Sequence, residues 1–108
     1  MDGFQLKFYT QENRKHRGIL LYEWLLEKAK EMGLNGGSAF RAMAGFGRHG
    51  TLHEEHFFEL PGNVPVEVIF VLSSEECENF LALLDKEKLN IFYVKFPIEF
   101  GVLNGHIE

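Results

Sequence analysis

The residue types and spacings that could do chemistry fall into a few groups, the first being the glycine string Gly45-Phe46-Gly47-Arg48-His49-Gly50, with Arg41 just ahead of it. Gly45-x-Gly47-x-x-Gly50 satisfies the dinucleotide-binding expression, but that motif works only where the loop opens a long helix inside a parallel βαβ unit. Residues 51–61 leave no room for such a helix before Pro61-Gly62, so the dinucleotide reading is set aside. Glycine-rich backbone can still turn successive N–H groups towards an anion, and Arg41 and Arg48 could supply the charge of a phosphate site. The same glycines serve equally well at a hairpin tip that only bends.

A second group, Arg14-Lys15-His16-Arg17, stacks positive charge just before a helix amino terminus, where the macrodipole favours a negative one. A bound anion would compensate, and so would plain solvation. His49, His53 and His56, with Glu54 and Glu55 among them, invite a metal. In an extended arm, however, His53 and His56 point to opposite faces, the run His53-Glu54-Glu55-His56 lacks the i, i+4 histidine pair of a zinc-protease helix, and the glycines around His49 speak against a helix that would align the three. A site shared between neighbouring chains stays open as the alternative. Cys77 falls on the apolar side of a helix, where a thiol is buried and inert. No nucleophile and base stand at a spacing that suggests hydrolysis, so a small enzyme is a remaining alternative rather than the expectation.

The elements that must position these groups follow from hydrophobic period. Residues 4–10 alternate, with Phe4, Leu6 and Phe8 on one side, and predict a strand. Residues 11–18 read as a loop. From residue 19 to residue 32, Leu21, Tyr22, Leu25, Ala29 and Met32 recur at helical spacing, and Gly33 stands where a left-handed cap is wanted. A second strand is expected over 38–44, an extended arm over 51–60 with a short helix capped by Thr51 and Glu54 as the alternative, and a strand over 64–72 that is apolar almost throughout and so reads as buried on both faces. Ser73 and Glu76 form a capping box for a second helix, on which Cys77, Phe80, Leu81 and Leu84 share a face. Residues 90–96 predict the last strand.

The order βαββαβ suits an α+β, ferredoxin-like fold, with both helices on one face of a four-stranded antiparallel sheet and an extended loop or arm between strands 2 and 3. Because the last two strands are apolar on both sides, the face without helices should be an association surface. Composition agrees with one folded domain over residues 1–108: 45% of residues are hydrophobic and Phe alone counts 11, too apolar for disorder. The net charge of −5 argues against a nucleic-acid binder of the basic kind, and no apolar run is long enough for a membrane-spanning helix. With a single cysteine and no signal-peptide pattern, the chain reads as cytoplasmic.

Lys15-His16-x-Gly18, Leu21-Tyr22-Glu23, the run from Phe40 to Gly47 (Phe-Arg-Ala-Met-Ala-Gly-Phe-Gly), His53, Phe57-Phe58-Glu59-Leu60 and Pro65-Val66-Glu67-Val68 together resemble the domain of unknown function 190 family. That group is similar to the nitrogen-regulatory PII proteins. The resemblance covers residues 4–94 and implies a homotrimer with its sheets packed inward. It also implies a small anionic ligand, with ATP, ADP or AMP as candidates, in clefts between subunits. A loop at residues 45–64 would be presented to a protein target, a channel or an enzyme, and no catalysis is implied. The stretch Lys86-Glu87-Lys88-Leu89-Asn90 lacks the glycine-containing phosphate loop of PII proteins, and residues 97–108 lack their paired arginines. Ligand contacts would therefore rest on Arg41, Gly45, Phe46, Gly47, Arg48, His49 and Lys88.

Overall fold

The computed structural model describes residues 1–45 and 64–105. The chain runs β1 (Asp2–Gln11), β2 (Lys15–His16), β3 (Ile19–Leu20), α1 (Leu21–Glu31), β4 (Gly37–Arg41), β5 (Pro65–Ser73), α2 (Ser74–Lys86) and β6 (Phe92–Glu99). Four of the strands form one sheet in the order β4-β5-β1-β6, with every neighbouring pair antiparallel. Each helix carries the chain past one intervening strand, and such crossovers take one hand, so both helices pack on the same face. This is the expected α+β, ferredoxin-like arrangement.

Period-two patterning assigns the faces. On β1, Leu6, Phe8 and Thr10 are buried, and on β5, Val66, Val68, Phe70 and Leu72 are buried. Against them lie Leu21, Trp24, Leu25 and Ala29 of α1 and Cys77, Phe80 and Leu84 of α2. Phe8 meets Phe70 and Phe80 edge to face, with ring centroids 6.1 and 6.0 Å apart, and Phe70 and Phe80 stand 5.2 Å apart. Burying each of these rings is worth about 2–3 kcal/mol. Each edge-to-face pair adds about 0.5–1.5 kcal/mol, so this trio pins β1, β5 and α2 together.

The helix ends are fixed by local bonds. After α1, Gly33 takes φ +80°, its N–H donates to the Lys30 carbonyl, and the Leu34 N–H donates to the Ala29 carbonyl. These are the paired bonds of a Schellman motif. At the start of α2 the capping box is complete: Ser73 Oγ accepts from the Glu76 N–H at 3.2 Å, and the Ser73 N–H donates to Glu76 Oε1 at 2.8 Å.

The structure corrects several expectations. Residues 15–20 are not loop and helix but a small hairpin, with His16 paired to Ile19 and positive φ at Arg17 (53°) and Gly18 (83°). Two consecutive positive φ values are what the right-handed twist of a two-residue hairpin demands. Helix α1 consequently begins at Leu21, and Trp24 rather than Met32 completes its buried stripe. Strand β4 ends at Arg41, short of residue 44, and β6 lies two or three residues later than expected. Strand β5 is buried on one face only within the chain, since its alternate residues Glu67, Ile69 and Val71 stay partly or fully accessible. The arm expected over 51–60 lies outside the described residues.

Replacing Ser73 by Ala removes one half of the capping box, and thermal unfolding should register a loss of about 1 kcal/mol, close to 4 °C in Tm. An unchanged Tm would mean that the tertiary contacts alone hold that helix end.

Candidate functional site

Register places Arg41 at one end of the sheet. Arg41 pairs with Val66, Val66 with Thr10, Pro65 with Gln11, and Tyr9 with Phe92, so β4 and β1 finish where β5 and β6 begin. Helix α1 starts at this end and α2 finishes there, because each helix joins the strands named.

Arg41 is 66% exposed and is gripped by Glu12, which follows β1: Arg41 Nε lies 3.1 Å from Glu12 Oε2, and an Arg41 terminal nitrogen lies 3.2 Å from Oε1. The planar guanidinium fits both carboxylate oxygens at once, the geometry in which arginine pairs best. Backbone bonds fix the same place independently. The Glu12 N–H donates to the Val64 carbonyl at 2.8 Å, and the Ala42 N–H donates to the Pro65 carbonyl at 2.9 Å. Among the described residues nothing comes within 4 Å of where a Cβ on Gly45 would stand. Thr10, in the same cross-strand row as Arg41, is buried, and its Oγ1 has no hydrogen-bond partner among the described residues. The other candidates from this stretch, Phe46, Gly47, Arg48, His49, His53 and His56, lie outside the described residues.

The basic group at 14–17 turns towards the end of α2. The α1 amino terminus has no side-chain cap, and its Leu21 N–H donates to the Arg14 carbonyl at 2.7 Å. The Arg14 guanidinium donates to the Asn90 carbonyl at 2.7 Å, Arg17 Nε donates to Glu87 Oε1 at 2.8 Å, and His16 Nε2 stands 3.0 Å from the same oxygen. Glu87 sits at the C-cap of α2, where the dipole is negative and cations are welcome. The hydrogen bonds from Arg17 and then His16 hold the Glu87 carboxyl below the usual carboxylate range. On its other side the His16 ring meets the Trp24 ring edge to face at 4.6 Å, and Lys28 Nζ lies 5.8 Å from the Trp24 centroid.

Lys88 also belongs to this end. It takes φ 57°, its N–H donates to the Asp85 carbonyl at 2.9 Å, and the Leu89 N–H donates to the Leu84 carbonyl at 3.2 Å. Lys88 therefore fills the position Gly33 fills after α1, a left-handed site that normally favours glycine. Glu12 and Glu87 were missed by sequence reasoning. Their partners lie 29 and 70 residues away along the chain, and no local period marks them.

The sheet face away from the helices forms three cross-strand rows: Phe40, Glu67, Tyr9 and Phe92; then Ser38, Ile69, Lys7 and Val94; then Val71, Gln5 and Phe96. Phe40 (54%), Phe92 (45%) and Phe96 (44%) are exposed, a concentration of bare aromatic surface that lone subunits seldom carry. An open groove of about 460 Å³ runs along its edge between residues 35–38, Phe40, Ile69 and Val71. Tyr9 is packed against Phe92 at 5.7 Å, and burial followed by the facing Glu67 carboxylate pushes its hydroxyl pKa up.

Comparison with known proteins agrees with the resemblance drawn from the motifs. The profile of the DUF190 family, described as Uncharacterized ACR, matches residues 3–93, and the chain belongs to that family. A UPF0166 protein of Aquifex aeolicus is 37% identical over 76 residues, which are 70% of this chain and 72% of the relative. A UPF0166 protein of Methanocaldococcus jannaschii is 30% identical over 79 residues, 73% of this chain and 72% of the relative. Among solved structures, a Thermus thermophilus protein provisionally described as PII-like signaling superposes with a TM-score of 0.57 at 14% identity, over 90% of this chain and 85% of that one. At that identity the likeness shows the fold, which is PII-like.

Replacing Glu87 by Gln should destabilise the protein at neutral pH, because it strands Arg17 and His16. A carboxylate with a lowered folded pKa contributes its stability above its unfolded value and loses it as pH falls through the folded one. The gap between wild type and Glu87→Gln in urea unfolding should accordingly be full at pH 7 and close below the usual carboxylate range. A gap that persists unchanged at pH 2 to 3 would refute the pairing.

Proposed function

We propose that this DUF190 member is the subunit of a PII-like regulatory trimer that binds a small anionic ligand, with ATP, ADP or AMP as candidates, beside Arg41 in clefts between subunits. It signals ligand state to a protein target through residues 45–64. The observation that carries this reading is the apolar sheet face without helices: its aromatic rows are what a trimer with inward-facing sheets would cover. The helix-free face and the Arg41 end share β4 and β5, so copies that close over the face also draw close to Arg41.

The ligand step has a simple energetic form. In the free chain the Arg41 fork is occupied by Glu12, and an exposed ion pair of this kind is worth only about 0.2–1 kcal/mol. A phosphate or carboxylate offering two oxygens can take the fork at little cost. Because the Ala42 and Glu12 backbone bonds do not depend on the side-chain pair, the exchange releases Glu12 without opening the sheet end. The chain leading into residues 46–63 then changes its electrostatic neighbour, and ligand occupancy biases which conformations a target meets.

Two measurements test this reading. Light scattering should give a mass three times that of the chain, and a stable monomer would contradict it. Calorimetric titration with ATP, ADP and AMP should show binding to at least one of them, weakened about tenfold or more by Arg41→Ala, as expected for loss of charge-assisted hydrogen bonds. Intact trimers that bind none of the three would overturn the nucleotide reading.

A further inference from the structure

The helix-free face carries two charges among its apolar rows, and both stand on the central strands. Lys7 lies on β1 opposite Ile69, and Glu67 lies on β5 opposite Tyr9, one row apart on the diagonal. Both are partly buried already. Among the described residues neither joins an ion pair. Lys7 Nζ is placed 5.6 Å from the Phe96 centroid, towards the β6 edge, whereas Glu67 keeps its carboxylate beside the Tyr9 hydroxyl in its own row.

Covering such a face with apolar surface alone would strand both charges, and an uncompensated buried charge is among the most costly features a structure can contain. The occupant must therefore offer a carboxylate to Lys7 and a cation to Glu67 at the spacing this sheet itself displays. A second copy of the chain does so. In a head-to-tail contact the β6 side of one copy meets the β4 and β5 side of the next, which brings the outward-leaning Lys7 to the neighbour's Glu67.

We propose that Lys7 of each copy pairs with Glu67 of the next across the helix-free face, so that a closed ring of copies carries alternating charges at its centre. The inference rests on the trimer reading above and adds what sets its register. Near a symmetry axis every central position meets its own copies, so a face with one sign of charge would repel itself. One lysine and one glutamate per chain give a neutral ring. Slipping the contact by one row would set Lys7 against apolar side chains, so the pair also selects a single arrangement of the aromatic rows.

The test is a charge exchange on the full chain, read by sedimentation equilibrium. Lys7→Glu and Glu67→Lys should each weaken assembly by about tenfold or more, the range seen when close interfacial charge pairs are broken. The double exchange, Lys7→Glu with Glu67→Lys, should restore it to within a few-fold of wild type. The neutral variants Lys7→Gln and Glu67→Gln, with far-UV circular dichroism as a folding control, separate lost pairing from lost folding. Single variants that assemble like wild type, or a double exchange no better than the singles, would overturn the pairing while leaving the trimer intact. A wild-type monomer would overturn the trimer reading and the pairing together.

Discussion

The helices of this fold can cover only one side of its sheet. Both crossovers have the same hand, so α1 and α2 land together, and everything apolar on the other side needs a different cover. Within the chain the Phe8, Phe70 and Phe80 trio fastens the helix-covered side, while Phe40, Phe92 and Phe96 stay about half exposed. An antiparallel sheet usually resolves this by facing water with polar residues. Here the alternation places Ile69, Val71 and Val94 where polar residues would stand. The molecule thus builds one core for itself and leaves a second apolar face uncovered within the chain.

The second constraint is electrostatic and sits at the sheet end. The −5 total conceals a local crowd of arginines, each held by an acceptor that arrives from far along the chain: Glu12 for Arg41, Glu87 for Arg17, the Asn90 carbonyl for Arg14. These contacts differ in kind. Arg14 and Arg17 tie a hairpin to the carboxyl end of α2, where dipole and side chain pull the same way. Arg41, at the end of β4, is held by a partly exposed carboxylate with no helix dipole behind it.

What was legible in the sequence was what local period encodes. Both helices, the Ser73 to Glu76 box, the Gly33 cap and the four main strands follow from spacing over a few residues, as does the prediction of an uncovered face. The β2–β3 hairpin was not legible, because its turn places a positive φ on Arg17, a residue that gives no turn signal, and Gly18 alone reads as loop. The Lys88 cap was hidden for the same reason, since a lysine occupies a glycine's position. Of the candidate site, Arg41 was singled out from its place ahead of the glycine string, whereas Glu12 and Glu87 depend on tertiary pairing that no window of sequence contains.

The edge-to-face contact between His16 and Trp24 has a consequence for how the molecule can be observed. Trp24 is the sole tryptophan, it lies on the helix-covered side, and its immediate neighbours include a hairpin imidazole and the Lys28 ammonium. Its emission is therefore a built-in optical reporter of whether the hairpin is seated. Copies meeting across the opposite face would leave that signal almost untouched, so one chromophore watches the sheet end while remaining blind to assembly.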